Sequence, residues 1–337
     1  MTDTLLSGPF VESWSAIRRY LLVGMLCLVG CSEDEETSGG RAQEVIPFLN
    51  NHTILLANAA EARSLMQSSD EYTQQLGLFD LQSKTQNTQA TREADYLDYA
   101  AQQALDWTDE EIRQVRTIVE SADARISALG LRLALPSEII LVRSTMQEEG
   151  GAAGYTRRNF IVLGSQLSEY LFLHELFHVY SRANPAQRDA LYATIGFRKT
   201  NEIALPEPLA SLKISNPDAP VHDHVLEVSI DGTLQEAIFL IYSEQEYKQG
   251  TFFDYLHKRL LLVEGSDTNK QVRLRDGHPV LRNYDEATDL RDKIGRNTNY
   301  DIDPEEVIAD HFTLLVLGEA VPEPDYLDQV QVLLQTR

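Results

Sequence analysis

The segment that most constrains this chain is His174-Glu175-Leu176-Phe177-His178, set inside an otherwise apolar run from Tyr170 to Tyr180. Read as a helix, that run is apolar on nearly every face and is therefore buried, which takes two imidazoles and a carboxylate out of water together. Histidines four positions apart share one helix face about one turn apart, so their nitrogens can converge on a single zinc ion. Glu175 is then the natural general base, and a cation offsets the cost of burying its charge. The competing reading keeps His174 and His178 as core histidines bonded to backbone, with Glu175 facing a solvent channel.

A second segment bears on the choice. Asp303 as N-cap, Pro304 at the first helical position and Glu306 three residues after the cap predict a helix start, and the helix runs into Leu314-Leu315-Val316-Leu317. Glu306 and Asp310 then lie on one face. A catalytic zinc takes a third protein ligand and keeps one position open, while a ligating histidine commonly needs a carboxylate on its other ring nitrogen. Glu306 can be that ligand and Asp310 that carboxylate, with Glu305, Asp310 and His311 as substitute ligands. Against this, acids in a first helical turn also serve simply to offset the helix dipole.

His174-Glu175-Leu176-Phe177-His178 followed by Glu306-Val307-Ile308-Ala309-Asp310 resembles the gluzincin arrangement of zinc metallopeptidases, the thermolysin-like class. The resemblance covers these two segments, and the stretch between His178 and Glu306 is much longer than in typical members. It implies zinc held by His174, His178 and Glu306, Glu175 as base, and Asp310 supporting a histidine. Completion by a third histidine, as in metzincins, is excluded because position 184 is Asn184.

At the front of the chain, Arg18-Arg19 precedes an apolar stretch over 20–29 and then Leu28-Val29-Gly30-Cys31. About ten apolar residues are too few to span a bilayer permanently but fit the core of a signal peptide. The segment resembles a bacterial lipoprotein signal, which implies cleavage before Cys31 and lipid attachment to Cys31. Ser32 after the cysteine implies an outer-membrane address within the cell envelope. Residues 1–30 read as signal peptide and 31–40, acidic and Gly/Ser-containing, as a flexible tether. The only cysteines are Cys27 and Cys31, so a disulfide within the later chain is excluded and metal ligation must use nitrogen and oxygen.

The formal net charge is −23, which disfavours nucleic acid as a partner because phosphate binding relies on clustered Lys and Arg. Residues 41–135 read as a helical region, with helix-forming stretches at 54–66 and 93–105, a polar loop at 74–91, and a capping box at Thr108-Asp109-Glu110-Glu111 opening a helix that stops at Gly130. From 136 the pattern turns to strands at 138–143 and 160–163, feeding the histidine helix. The stretch 153–163 is the candidate for an edge strand that binds peptide in extended form. Asn184-Pro185 opens a short helix. An insertion over about 205–300 opens with Leu205-Pro206-Glu207-Pro208 and the turn Asn216-Pro217-Asp218-Ala219-Pro220 and carries strands at 225–230, 235–242 and 259–263. Its His222, His224, His257 and His278, with Tyr284 and Tyr300, form the pool for a transition-state donor.

The expected fold is α+β and zincin-like, a mixed sheet with an active-site helix and a second ligand helix, preceded by the helical region. The expected activity is zinc-dependent peptide hydrolysis by a lipid-anchored envelope protein, acting on a peptide or protein and touching the membrane only through its lipid. The alternative is a non-catalytic protein of the same fold that binds a protein or peptide.

Overall fold

The computed structural model describes residues 44–336. The expected leader, Cys31 and the tether at 31–40 lie outside the described residues. No helix among the described residues is long and apolar enough to cross a membrane.

The chain is α+β with a mixed sheet. Its first half contributes β1 (Glu44–Phe48), β2 (His52–Leu56), α1 (Ala59–Met66), α2 (Glu71–Gln74), α3 (Leu78–Lys84), α4 (Glu93–Gln102), β3 (Ala104–Leu105), α5 (Asp109–Ala128), β4 (Glu138–Ser144), β5 (Gly154–Arg157) and β6 (Phe160–Leu163). These strands make one sheet in the order β1-β2-β4-β6-β5, with β3 on β4. The β2/β4 and β4/β6 pairs are parallel, while β1/β2 and β5/β6 are antiparallel, leaving β5 at an edge. Then come α6 (Glu169–Ala183), α7 (Pro185–Ala193), β7 (Phe197–Lys199), α8 (Leu209–Leu212), β8 (His224–Ile230), β9 (Thr233–Tyr242) and β10 (His257–Glu264). With β11 (Gln271–Val272), β7 to β10 form a second, antiparallel sheet ordered β11-β10-β9-β8-β7. The short strands β12 (Leu274–Arg275), β13 (His278–Pro279) and β14 (Leu281–Arg282) follow, then α9 (Leu290–Ile294), α10 (Pro304–Leu317) and α11 (Pro324–Gln335).

Side-chain alternation along the strands divides the interior. In β4, Ile139 and Leu141 point to the core shared with α5, α6 and α10, while Val142 joins the core under α1 and α4; β6 divides Ile161 and Leu163 from Phe160 and Val162 in the same way. The second sheet repeats the device: Leu226, Val228, Phe239 and Leu260 reach the same central core as α6 and α10, and Val225, Leu240 and Leu261 line a core on the far face. The insertion is thus built into the main core.

Three expectations need correction. The stretch 54–66 is not one helix: His52–Leu56 is a strand, drawn into the sheet by pairing on both sides, and Asn58 caps α1 through a capping box with Glu61. The helix at 93–105 stops at Gln102, because Ala104–Leu105 pairs with β4. The polar stretch 74–91 contains α3, whose partners are far away in sequence. Asp80 accepts from Ser215 N at 2.8 Å and Ser215 Oγ at 2.7 Å, and fully buried Lys84 pairs with Glu149, which also accepts from the Tyr72 and Tyr96 hydroxyls at 2.6 and 2.8 Å. The Thr108 capping box, the α5 helix, the Pro185 helix and the strands at 225–230, 235–242 and 259–263 stand as expected. The region 44–135 is therefore not helical alone, and its β2 shares a sheet with β4.

Beside Glu149, Glu148 is wholly buried, accepts from Ser144 Oγ at 2.6 Å and leaves Oε2 without a hydrogen-bond partner. Burial pushes its carboxyl up to about 7. An acid raised in the folded state favours folding while protonated, so this contribution is complete below about 4.5 and is lost as pH rises through about 7. We expect Glu148→Gln to flatten the stability loss across that interval, a difference of up to about 3 kcal/mol at pH 8 measured by urea unfolding; parallel pH curves for variant and parent would refute this.

Candidate metal centre

Helix α6 begins at Ser168, whose hydroxyl accepts from Leu171 N at 3.1 Å, and buries every residue from Phe172 to Ser181. Helix α10 begins at Asp303, whose side chain accepts from Glu305 N at 2.9 Å, with Pro304 at its first position. Glu306 stands where a capping box would return a side chain to the cap, but it turns instead toward α6. The two helices pack side by side, and their buried charged residues meet at the seam.

The residues named from sequence converge. His174 Nε2 lies 2.9 Å from Glu306 Oε2, and His178 Nε2 lies 3.6 Å from the same oxygen. Donor atoms of His174, His178 and Glu306 all fall within 4.8 Å of one another. Ligands held near 2 Å around a tetrahedral ion stand about 3.3 Å apart, so this spacing fits zinc. His178 Nε2 is buried with no hydrogen-bond partner, its nearest acid oxygen being Glu306 Oε2.

Each histidine is held from behind by its own carboxylate. Asp310 Oδ1 lies 3.0 Å from His174 Nδ1 and is itself fixed by the Tyr170 hydroxyl at 2.6 Å, while Thr298 donates to its Oδ2. Glu305 Oε1 lies 2.9 Å from His178 Nδ1, and its Oε2 accepts from Ser181 Oγ at 2.7 Å and from the Tyr192 hydroxyl. With a metal on Nε2, this arrangement would keep the proton on Nδ1 of each ring. Glu305 therefore stands behind His178, on the ring nitrogen away from Glu306. His311, the other substitute ligand, is buried against Tyr326 with ring centroids 5.5 Å apart, and burial pushes it down to about 4.

Glu175 occupies the other side of the histidines. Its Oε2 accepts from Thr156 Oγ1 at 2.8 Å, and a Cβ at Gly154 would stand 3.1 Å from its Oε1, a tight contact that would make Glu175 shift by a few tenths of an ångström. Burial raises the Glu175 carboxyl, partly offset by His178 and His174. Burial also favours neutral Glu306, but the two histidines outweigh it and hold that carboxyl well below its ordinary value. His174 is depressed by burial yet raised further by Asp310 and Glu306, to about 10, and carboxylates around His178 raise it likewise.

Several contributors carried little or no signal in the sequence. Tyr170 shares the face of His174 and His178 by four-residue spacing and was legible in principle. Ser181, three residues after His178 on the same helix, was legible in the same way, whereas Thr156, Asn216, Asp218 and Tyr192 were not, because only the fold brings them near. Of the donor pool, Tyr300 stands in the site, its ring centroid 5.9 Å from that of His174, and burial together with Glu306 and Asp218 raises its hydroxyl. His224 is bound between Asp189 and Asp223, and Tyr284 donates to Asp301 O at 3.1 Å. His257 faces Tyr242, His278 is exposed in a short strand, and His222 lines a cavity with Arg188 and Tyr192.

The carboxylates facing His174 and His178 raise both imidazoles, and a ligand nitrogen must lose its proton to bind. We expect zinc uptake at pH 7 to release about two protons and to tighten as pH rises toward about 10, read by an indicator dye in weak buffer; uptake without proton release would contradict this assignment. Glu305→Ala should weaken zinc binding about 10–100-fold in competition with a chromogenic chelator, and unchanged affinity would remove Glu305 from the orienting role.

No protein family, curated protein or solved structure matches this chain, so the reading of the centre rests on its own geometry.

Proposed function

We propose that this protein is a zincin-like, zinc-dependent peptidase of gluzincin type. The observation that carries the proposal is the convergence of His174, His178 and Glu306 from two helices, with Glu175 beside them and a carboxylate behind each imidazole. Even with both histidines protonated, Glu175, Glu305, Glu306 and Asp310 leave the buried cluster rich in acid, a combination stabilised by a divalent cation. Zinc in this set supplies Lewis-acid polarisation of the scissile carbonyl and of a water.

The chain's own residues supply the rest. Glu175 is positioned by Thr156 and raised by burial, so its carboxylate can take a proton from water and return it to the leaving amine nitrogen. Tyr300, beside His174, is placed to donate its hydroxyl proton to the developing oxyanion. β5, the last strand of its sheet, lies against the Glu175 side chain and is the strand on which an extended peptide would pair. The lipoprotein-like leader supports an address in a bacterial cell envelope, anchored through Cys31.

Glu175→Gln should lower peptide-library cleavage by about 10²–10⁴-fold while keeping stoichiometric zinc by elemental analysis. Cleavage by the variant at the parental rate would remove Glu175 as base. Stoichiometric zinc in a parent protein that shows no chelator-sensitive cleavage would instead select a non-catalytic binder.

A further inference from the structure

The outer edge of β5 is already covered. Thr156 pairs with Ile161 of β6, and its own N–H and C=O serve partners on the other side. Asp218 Oδ1 accepts from Thr156 N at 2.7 Å, the place of a carbonyl oxygen in an added strand. Thr156 O accepts from Arg182 Nη2 at 3.4 Å, and the same nitrogen donates to Pro217 O at 3.1 Å and Asp218 O at 3.3 Å, clamping the segment to the end of α6.

Asn216 and Asp218 also reach the candidate metal centre. Asn216 Nδ2 donates to Glu306 Oε1 at 2.5 Å, on the oxygen not facing His174, and Asn216 Oδ1 accepts from Asp218 N at 3.1 Å. Ligand atoms of Asp218, Glu175 and His178 lie within 4.8 Å of one another, so the Asp218 carboxylate stands beside both the base and a ligand histidine. Residues 216–218 thus engage the edge strand, the side of the base and the third ligand at once. They belong to neither a helix nor a strand, and the bonds described here come from side chains or from Arg182. Such a segment can leave without breaking a sheet.

We propose that residues 216–218 form an intrachain plug, which holds the place of an extended peptide on β5 and sets Asp218 where a substrate group or water must come. The proposal rests on the zinc-peptidase reading for its meaning, and on the Thr156 and Glu306 contacts for its geometry. An incoming peptide would replace the Asp218 carboxylate with its own backbone carbonyl at Thr156 N. Apparent affinity for any ligand of the centre is then reduced by the small fraction of molecules in which the segment is out.

Two measurements on the full chain test this. With cobalt(II) loaded, acetohydroxamate binding followed by the visible spectrum should be at least about tenfold tighter in Asp218→Ala than in the parent, with a shift in the same direction for Asn216→Ala. Equal or weaker binding in both variants, each carrying stoichiometric cobalt, would overturn the plug while leaving the metal centre standing. In chelator-treated protein, amide hydrogen exchange at Thr156 should be slow in the parent and at least about tenfold faster in Asp218→Ala, with Val162 in β6 unchanged as the control for folding. Equal rates at Thr156 would show that the segment does not cover the edge, and would overturn the plug without reference to metal. A parent that takes up no cobalt would sink the zinc reading, and the exchange rates would still decide the plug.

Discussion

The seam between α6 and α10 is where this protein concentrates its electrostatic cost. Two imidazoles and four carboxylates are buried there between helices that are otherwise apolar, and none of these charges is stable alone in such surroundings. Each is made tolerable by the others: Asp310 and Glu305 behind the histidines, Glu306 between them, Thr156 on Glu175. Removing one partner strands another, which in buried pairs typically costs about 3–5 kcal/mol. On the reading proposed above, a divalent cation would take the place of protons on the facing nitrogens and offset the charge of the acids.

The two sheets make that seam possible. The mixed sheet supplies one wall of the central core and delivers β5 to the side of Glu175, with Gly154 packed close against that side chain. The second sheet lies wholly between the two ligand helices in sequence, yet its inner face joins the same core. The long separation of His178 from Glu306 therefore does not loosen the centre: the intervening chain is folded against it. One consequence is that the path from α8 to β8 runs past His178 and Glu306, which brings Asn216 and Asp218 beside them.

The legible part of the site was legible for a physical reason. His174, Glu175 and His178 share a helix face through local periodicity, and Asp303-Pro304 announces a helix on which Glu306 and Asp310 must also share a face. Glu305 shows the limit of such reasoning: first-turn position is consistent with a dipole role, a ligand or an orienting acid, and the partner that decides, His178 Nδ1, is remote in sequence. The misread elements fail in the same way. Local composition favours helix at 54–56 and loop at 78–84, and what overrides it is pairing with β4 in one case and burial of Asp80 and Lys84 in the other.

From its sequence alone, the chain specifies which side chains can act together on one helix turn, because spacing of 3.6 residues per turn is a local property. It specifies likewise the caps, the apolar stripes and the absence of cysteine from any metal set in residues 44–336. Only the tertiary structure decides that the two helix faces look at each other, that Glu305 stands behind His178, and that Thr156 and residues 216–218 close around Glu175. Those contacts join residues tens to more than a hundred positions apart, and their free energy comes from shared burial, which no local pattern encodes.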